Sequence, residues 1–441
     1  MKSITIALAG TILALALSET NAAGRTLDVQ SAKAAVDKVL AADYPRLEAL
    51  YKDIHSHPEL SFQETRTAAL LAAEMRNLGF EVTEHVGKTG VVAIYRNGAG
   101  PTVLVRTELD ALPLQEKTGL PYASTAKQTY DGKETFVDHA CGHDSHMAAW
   151  VGTARALVAL KSQWRGVLMF IGQPAEEGAG GARAMIDDGL FTRFPKPTYG
   201  FALHVGPAPF GTVAYAPGVI SSNSDSLSIR FAGRGGHGSM PSATIDPIVM
   251  GARFVTDVQT VISREKDAAA FGVLTIGAFH AGTAGNIIPD AAELKGTIRS
   301  YSPTVRAKIH DGILRTAKAV AEMAGAPAPV VTITGGGDAV VNDDALTART
   351  GRVFEAAFGD KAIRQTEPGA ASEDYSQFII AGVPSTFFSI GGYDPARIAA
   401  AKAKGEPLPV NHSPFFYPVP EPTIRTGVEA MTLAVLNVMT P

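Results

Sequence analysis

The chain has 441 residues, 39 Lys and Arg against 43 Asp and Glu, a formal net charge of −4 and one cysteine. No basic run or stripe is available for a nucleic acid, no cationic amphipathic helix for a membrane surface, and a single cysteine excludes an internal disulfide. The length suggests two domains with ample core, and 44 Gly with 27 Pro suit an α/β enzyme with many tight loops better than a helical bundle.

Met1-Lys2-Ser3, an apolar stretch from Ile4 to Leu17 and small residues at Ala22-Ala23 read as a secretory signal over residues 1–23, so export, to a bacterial periplasm, is expected. That stretch is short for a membrane span, and no later segment offers about 18 uninterrupted apolar residues. Helical spacing of Ala35, Val36, Val39, Leu40, Leu47, Leu50 and Tyr51 predicts a first helix. Ser61 and Glu64 read as a capping box before a helix from Ala68 to Leu78, which Gly79 ends. Val91–Tyr95, Thr102–Val105, Val167–Ile171 and Tyr199–Val205 read as buried strands, with a helix from Asp144, as its cap, to Leu160 and a short one over 180–186. This alternation predicts a largely parallel sheet with helices on both faces.

After Pro217 the pattern changes. Leu227–Phe231 alternates as a half-exposed strand, 245–262 is an amphipathic helix, Val273–Phe279 and Ala292–Tyr301 are strands, and Thr304–Ala324 is a helix. Such an order fits a small antiparallel α+β unit. Ala324-Gly325-Ala326-Pro327 reads as a linker, after which Asp343–Phe358, Ser385–Ile390 and Glu421–Val438 resume the first style. The organisation expected is a first part over 24–216, an inserted domain over 217–328 and a second part over 329–441.

The densest chemistry lies in His139-Ala140-Cys141-Gly142-His143-Asp144-Ser145-His146, where four potential ligands fall within eight positions. A lone Cys is ordinarily a small buried hydrophobe, whereas thiolate and imidazole side by side suit a borderline divalent ion such as Zn²⁺. Glu176-Glu177 follow a predicted strand, where α/β sites lie; neighbours leaving a strand point apart, so one carboxylate could bind metal while the other acts as a general base. His204 ends another strand in an apolar context, and His412 sits in a Pro-rich loop before the last helix. Asp110, also at a strand end, could bridge, orient ligands from behind, or merely cap a turn.

Taken together, His57-Pro58-Glu59-Leu60-Ser61-Phe62, Leu109-Asp110-Ala111-Leu112-Pro113, Cys141-Gly142-His143-Asp144, Pro174-Ala175-Glu176-Glu177-Gly178, Gly235-Gly236-His237-Gly238, Gly282-Thr283-Ala284-Gly285-Asn286 and Asn411-His412-Ser413-Pro414 resemble one family. It comprises the metal-dependent amidohydrolases that include hippurate hydrolases, N-acyl-amino-acid amidohydrolases and auxin-conjugate hydrolases, within the aminoacylase and carboxypeptidase G-type peptidases. The resemblance implies an α/β metallopeptidase catalytic domain with a mostly parallel central sheet, and an inserted α+β, ferredoxin-like domain serving as lid and dimerisation unit. It implies metal ligands at Cys141, His143, Glu177, His204 and His412 for one or two divalent ions, Mn²⁺ or Zn²⁺, leaving Asp110, His139 and His146 behind them. Glu176 would be the general base and His237, reaching a partner subunit of a homodimer or higher homo-oligomer, would stabilise the oxyanion. Asn286 and Arg299 would lie near the carboxylate of a small N-acyl amino acid or peptide substrate.

The chain departs from the family in Arg106-Thr107-Glu108-Leu109-Asp110, where the family often reads Arg-Ala-Asp-Met-Asp, and in longer segments at 127–138 and 393–409 flanking the site. Two rivals stand beside the metallo-amidohydrolase: an amidase with Cys141 as nucleophile and His143 or His139 as base, and a non-catalytic periplasmic binding protein.

Overall fold

The Val- and Ile-rich runs between Gly and Pro become the middle of one large sheet, because a strand covered on both faces needs apolar side chains on both. The computed structural model describes Thr26–Gly178 and Gly180–Thr440, and the signal expected over residues 1–23 lies outside the described residues. Strands β1 (Glu81–Val86), β2 (Gly90–Asn97) and β3 (Thr102–Glu108) are followed by a hairpin of β4 (Lys127–Tyr130) and β5 (Lys133–Phe136). Next come β6 (Gly166–Gln173), β7 (Tyr199–Pro209) and β8 (Val213–Tyr215), while β17 (Ala362–Arg364) and β18 (Ser385–Tyr393) arrive from the far end of the chain. The eight-stranded order is β1-β2-β6-β3-β7-β18-β8-β17. The four central strands, β6, β3, β7 and β18, are mutually parallel, so Glu108, Gln173 and His204 lie close together toward one edge.

Helices α1 (Val29–Ser56), α2 (Thr65–Asn77), α3 (His143–Ala159), α8 (Asp344–Phe358) and α11 (Pro420–Met439) contribute to the larger core, with Val36, Leu47, Trp150, Phe170 and Leu433 fully or almost fully buried. α3 is buried nearly all round and α11 along most of its length, since each is enclosed between neighbouring helices and the sheet. The opposite face carries α4 (Gly181–Asp187), α5 (Leu190–Arg193) and α9 (Ser376–Ile380) over Ile94, Leu104 and Ile171. The longer segment at 393–409 contains α10 (Pro395–Lys404), capped by Asp394 and ended by Gly405. No helix among the described residues is long and apolar enough to cross a membrane.

Two expected caps are replaced by other residues. Glu64 precedes α2 but makes no capping bond; Glu59 accepts from the amides of Arg66 (3.1 Å) and Thr67 (2.7 Å) instead. Ser61 donates to Asp110 at 2.7 Å, so the Ser61–Glu64 box does not form. α3 starts after Gly142, and Asp144 lies inside its first turn, 2.6 Å from His55 Nδ1.

The inserted unit is a four-stranded antiparallel sheet, made of β10 (Ser224–Ala232), β12 (Gly272–Ala281), β14 (Ala291–Ser300) and β15 (Val330–Gly337) in the order β12-β14-β10-β15. Strand β10 alternates buried and exposed residues because α6 (Pro247–Asp257) and α7 (Pro303–Met323) cover only one face, enclosing Ile229, Phe231, Phe254 and Ile313. The short pair β11 (Gly236–His237) and β13 (Ile287–Ile288) stands apart. Strand β15 corrects the expected boundary at 328: Val331 pairs with Ile229 and Thr334 with Ser226, so the chain leaves this sheet only after Gly337. No strand is expected over 330–337 from the sequence, because one face of the alternation is polar and the run ends in three glycines.

The outgoing and returning chains are tied together by β9 (Gly218–Val219) and β16 (Val341–Asn342). Arg306 of α7 clasps both, donating through Nε to Asp225 (2.9 Å) and through Nη1 to Asp338 (2.6 Å), while His310 Nε2 lies 2.9 Å from the same buried Asp225. Replacing Arg306 by Leu strands a buried carboxylate with weaker partners; a loss of about 2 kcal/mol is expected as a lower urea midpoint, and an unchanged midpoint would show the clasp to be inert.

Candidate metal centre

The centre is built where α3, β7 and two loops meet. Gly142 has φ 88°, a conformation disfavoured for side-chain-bearing residues, and a Cβ there would stand 2.4 Å from Val205 Cγ1. Cys141 and His143 therefore flank a bare backbone pressed against β7. His143 Nδ1 donates to the carbonyl of Asp110 (2.8 Å), since a carbonyl can only accept; its Nε2 is buried without a partner. His204 Nδ1 likewise donates to the Val205 carbonyl (2.8 Å), leaving Nε2 3.3 Å from Cys141 Sγ. With Nδ1 committed as donor in both imidazoles, Nε2 is the nitrogen that faces inward and the one able to ligate a metal once it carries no proton.

Glu176 and Glu177 leave β6 on a loop in which Ala175 has φ 49°. The Asp110 carboxylate accepts from the amides of Glu176 (3.1 Å) and Glu177 (3.0 Å), and Glu64 accepts from the amide of Ala175 (2.8 Å). Of the roles open to Asp110, the one observed is orientation from behind: it shapes the loop and lies 3.6 Å from His143 Nδ1. His412 has φ 70°, and Asn411 binds its loop to the carbonyls of Cys141 (3.0 Å) and Val205 (3.1 Å). His412 Nε2 reaches 3.1 Å from Glu177 Oε1, without the angle of a hydrogen bond.

Donor atoms of Cys141, Glu177 and His412 lie within 4.8 Å of one another, as do those of His143, Glu176 and Glu177, and those of Glu108, His143, His146 and His204. These overlapping groups bring Cys141, His143, Glu177, His204 and His412 around one space with Glu176 beside it. His146 is not free: Nε2 accepts from the Val205 amide (2.8 Å) and Nδ1 donates to Glu108 (3.0 Å). His139 is buried with both ring nitrogens unpartnered, and burial lowers its pKa to about 4.

The residues fit a divalent ion. Soft thiol, borderline imidazoles and a carboxylate form the donor set, and His143 Nε2 and Glu177 Oε1 are buried orphans, each otherwise costing about 1–3 kcal/mol. Without a cation the electrostatics are adverse. Burial and the carboxylates of Glu177 and Glu176 push the Cys141 thiol well up, although a ligand must be thiolate. For His143, burial works against protonation, but Asp110 and Glu108 outweigh it and raise the pKa to about 10; burial and the nearby His146 hold His204 down to about 3. Burial, Glu373 and Glu177 raise the Glu176 carboxyl well above its usual range.

The residues expected near a substrate lie in the inserted unit, and no hydrogen bond links their side chains to this centre among the described residues. His237 is exposed on β11 with Nδ1 2.8 Å from Ser239 Oγ, and the Asn286 carbonyl accepts from Gly238 (2.8 Å). Arg299 lies on β14, its Nη1 buried and unpartnered. The hairpin β4–β5 occupies the first longer segment and docks through Gln128, which accepts from the Leu60 amide at 2.5 Å. Sequence reasoning missed Glu373 and Asp374, which lie with Glu176 in a further group of acidic donors. The signal available was their pairing, the same as in Glu176-Glu177, but they follow no strand.

The model of peptidase family M20/M25/M40 matches residues 104–404. The chain is similar to a hippurate hydrolase of Campylobacter jejuni subsp. jejuni, 38% identical over 336 residues that cover 75% of this chain and 84% of the relative. It is 35% identical to thermostable carboxypeptidase 1 of Saccharolobus solfataricus over 387 residues, 87% of this chain and 92% of that one. Among solved structures it resembles the YXEP protein of Bacillus subtilis, a dinuclear metal binding peptidase, with a TM-score of 0.73, 28% identity and coverage of 91% and 100%.

Loading this centre has to displace the protons of Cys141 and His143. Titration of metal-free protein with Zn²⁺ or Mn²⁺ near pH 7 is expected to release about two protons per subunit, read by calorimetry in buffers of different ionisation enthalpy. Apparent affinity should weaken as pH falls; release of less than one proton would contradict the assignment.

Proposed function

Because the chain belongs to peptidase family M20/M25/M40 and is a metal-dependent amidohydrolase of it, we propose that it hydrolyses the amide bond of N-acyl or N-aroyl amino acids, hippurate-like, or of short peptides with a free carboxylate. The observation that carries this reading is the convergence of five inward-facing donors on a space beside Glu176. Cys141, His143, Glu177, His204 and His412 would hold one or two ions, Mn²⁺ or Zn²⁺. A bound divalent ion supplies Lewis acidity and lowers the pKa of water.

Glu176 then takes a proton from the attacking water and delivers it to the amide nitrogen as the C–N bond breaks, so that a neutral amine departs and the carboxylate is regenerated. Its loop is held from behind by Asp110, which leaves the side chain no freedom to wander with the backbone. His237, from a partner subunit, donates to the oxyanion, and Arg299 with Asn286 receives the substrate carboxylate, a task suited to a guanidinium fork. Assembly as a homodimer or higher homo-oligomer is supported by the exposed Ile248 and Val249 of α6, the exposed Phe279 and the unpaired outer edge of β12. The amino-terminal pattern supports export to the periplasm.

The thiol-nucleophile alternative fits the geometry poorly. Cys141 Sγ lies 3.3 Å from His204 Nε2 and makes no hydrogen bond to His143 or His139 among the described residues, and burial raises the thiol pKa where a nucleophile needs it lowered.

With hippurate and acetyl, indoleacetyl and dipeptide substrates, Glu176→Gln is expected to lower kcat about 1,000-fold with wild-type metal content by elemental analysis. Equal, residual turnover by both proteins while they bind substrate would make this a binding protein; activity that survives metal removal but not thiol alkylation would favour Cys141. Arg299→Ala is expected to narrow the preference for hippurate over its uncharged amide by about 30-fold, and an unchanged ratio would remove Arg299 from the carboxylate site.

A further inference from the structure

The loop that carries Glu176 and Glu177 begins at Gln173 and ends at Ala182, and one buried side chain joins both ends. Asp374 Oδ1 accepts from Gln173 Nε2 at 2.6 Å and, at 3.5 Å, from Arg106 Nη2, and Asp374 Oδ2 accepts from the Ala182 amide at 2.9 Å. The Gln173 amide has only one possible orientation, because its Oε1 accepts from Arg106 Nε at 2.9 Å. Arg106 is in turn held by Glu373 through Nη2 at 2.7 Å and Nη1 at 3.2 Å, and by Glu108. Within the loop, Gly181 donates to the Ala175 carbonyl at 3.0 Å, and a Cβ on Gly181 would fall 1.6 Å from Pro174 O. The loop is therefore closed on itself at its base, and Asp374, buried and 201 residues away from Gln173, ties the two ends of that base from outside.

We propose that Asp374 is a positioning residue for the hydrolytic reaction, clamping the two ends of the Gln173–Ala182 loop so that Glu176 and Glu177 keep their separate directions. The tie is a matter of donor and acceptor polarity: a carboxylate accepts on both oxygens, as Gln173 Nε2 and the Ala182 amide require. Asp374→Asn retains shape but sets one amide NH₂ against another. Exchanging the two groups, in the double variant Asp374→Asn with Gln173→Glu, restores the two short contacts at unchanged net charge and gives up only the 3.5 Å contact of Arg106 Nη2: Glu accepts from Arg106 Nε and from the Asn amide, and the Asn oxygen still accepts from Ala182.

The proposal rests on Glu176 acting from this loop, and two readouts separate the claims. In the first, metal-free protein without substrate is followed by hydrogen exchange at the Ala182 amide, with strand β2 as internal reference. Exchange about tenfold faster in Asp374→Asn and restored in the double variant is expected, with β2 unchanged. In the second, metal-loaded Asp374→Asn should lose about 100-fold in kcat on hippurate with KM within about threefold, and the double variant should recover to within about fivefold of wild type.

A folded Asp374→Asn protein with wild-type kcat overturns the proposal, as does a folded double variant that recovers neither protection nor turnover. If Asp374→Asn does not fold, the double variant decides: near-wild-type protection and kcat support the clamp, and a double variant that is inactive or also unfolded overturns it. Restored protection alongside a wild type that hydrolyses none of the substrates would retire the Glu176 reading and leave the clamp standing.

Discussion

The structure depends on how buried carboxylates are compensated. A carboxylate removed from water must find several donors or lose its charge. Glu64, Asp110 and Asp374, all buried, find backbone amides of the same loop: Ala175 for the first, Glu176 and Glu177 for the second, Ala182 for the third. The dependence runs both ways. The loop holds a left-handed alanine and a closure that only glycine permits, and the carboxylates would be uncompensated if it relaxed. Fold and centre are therefore one cooperative arrangement.

The other constraint is mechanical. The eight-stranded sheet is covered on both faces and carries His204 on β7, with His143 on α3 and the remaining donors on loops at the sheet's edge, whereas the four-stranded unit is covered on one face only and carries His237, Asn286 and Arg299. The two are joined through paired crossings that Arg306 clasps. The cluster of potential metal ligands and the residues expected near a substrate thus lie on two different sheets.

Much of this was legible from local pattern. Continuous apolar runs indicated central strands, and the spacing of Cys141 with His143 and the pairing of Glu176 with Glu177 indicated a centre, because such donors have few other reasons to cluster. What was not legible shares one property: it is decided by partners distant in the chain. Glu59 caps α2 instead of Ser61 and Glu64 because Asp110 and the Glu176 loop claim those side chains. Asp374 reads as an ordinary loop acid until Gln173 is placed beside it. Strand β15 was not anticipated, because its pairing with β10 is invisible in a half-polar stretch that ends in glycines. The donor role of Nδ1 in His143 and in His204 likewise follows from a carbonyl supplied by folding, and residue type alone does not specify it.

Gly142 shows how far a single position reaches. Its missing side chain lets α3 lie against Val205, whose carbonyl orients His204 and receives Asn411, the neighbour of His412. Cys141 and His143 flank the same residue. One absent methyl group is thus the shared spacer of four donors drawn from three separate stretches of chain. A larger residue there would not remove any donor; it would spread all four apart together, turning a coordination sphere into four unrelated polar side chains.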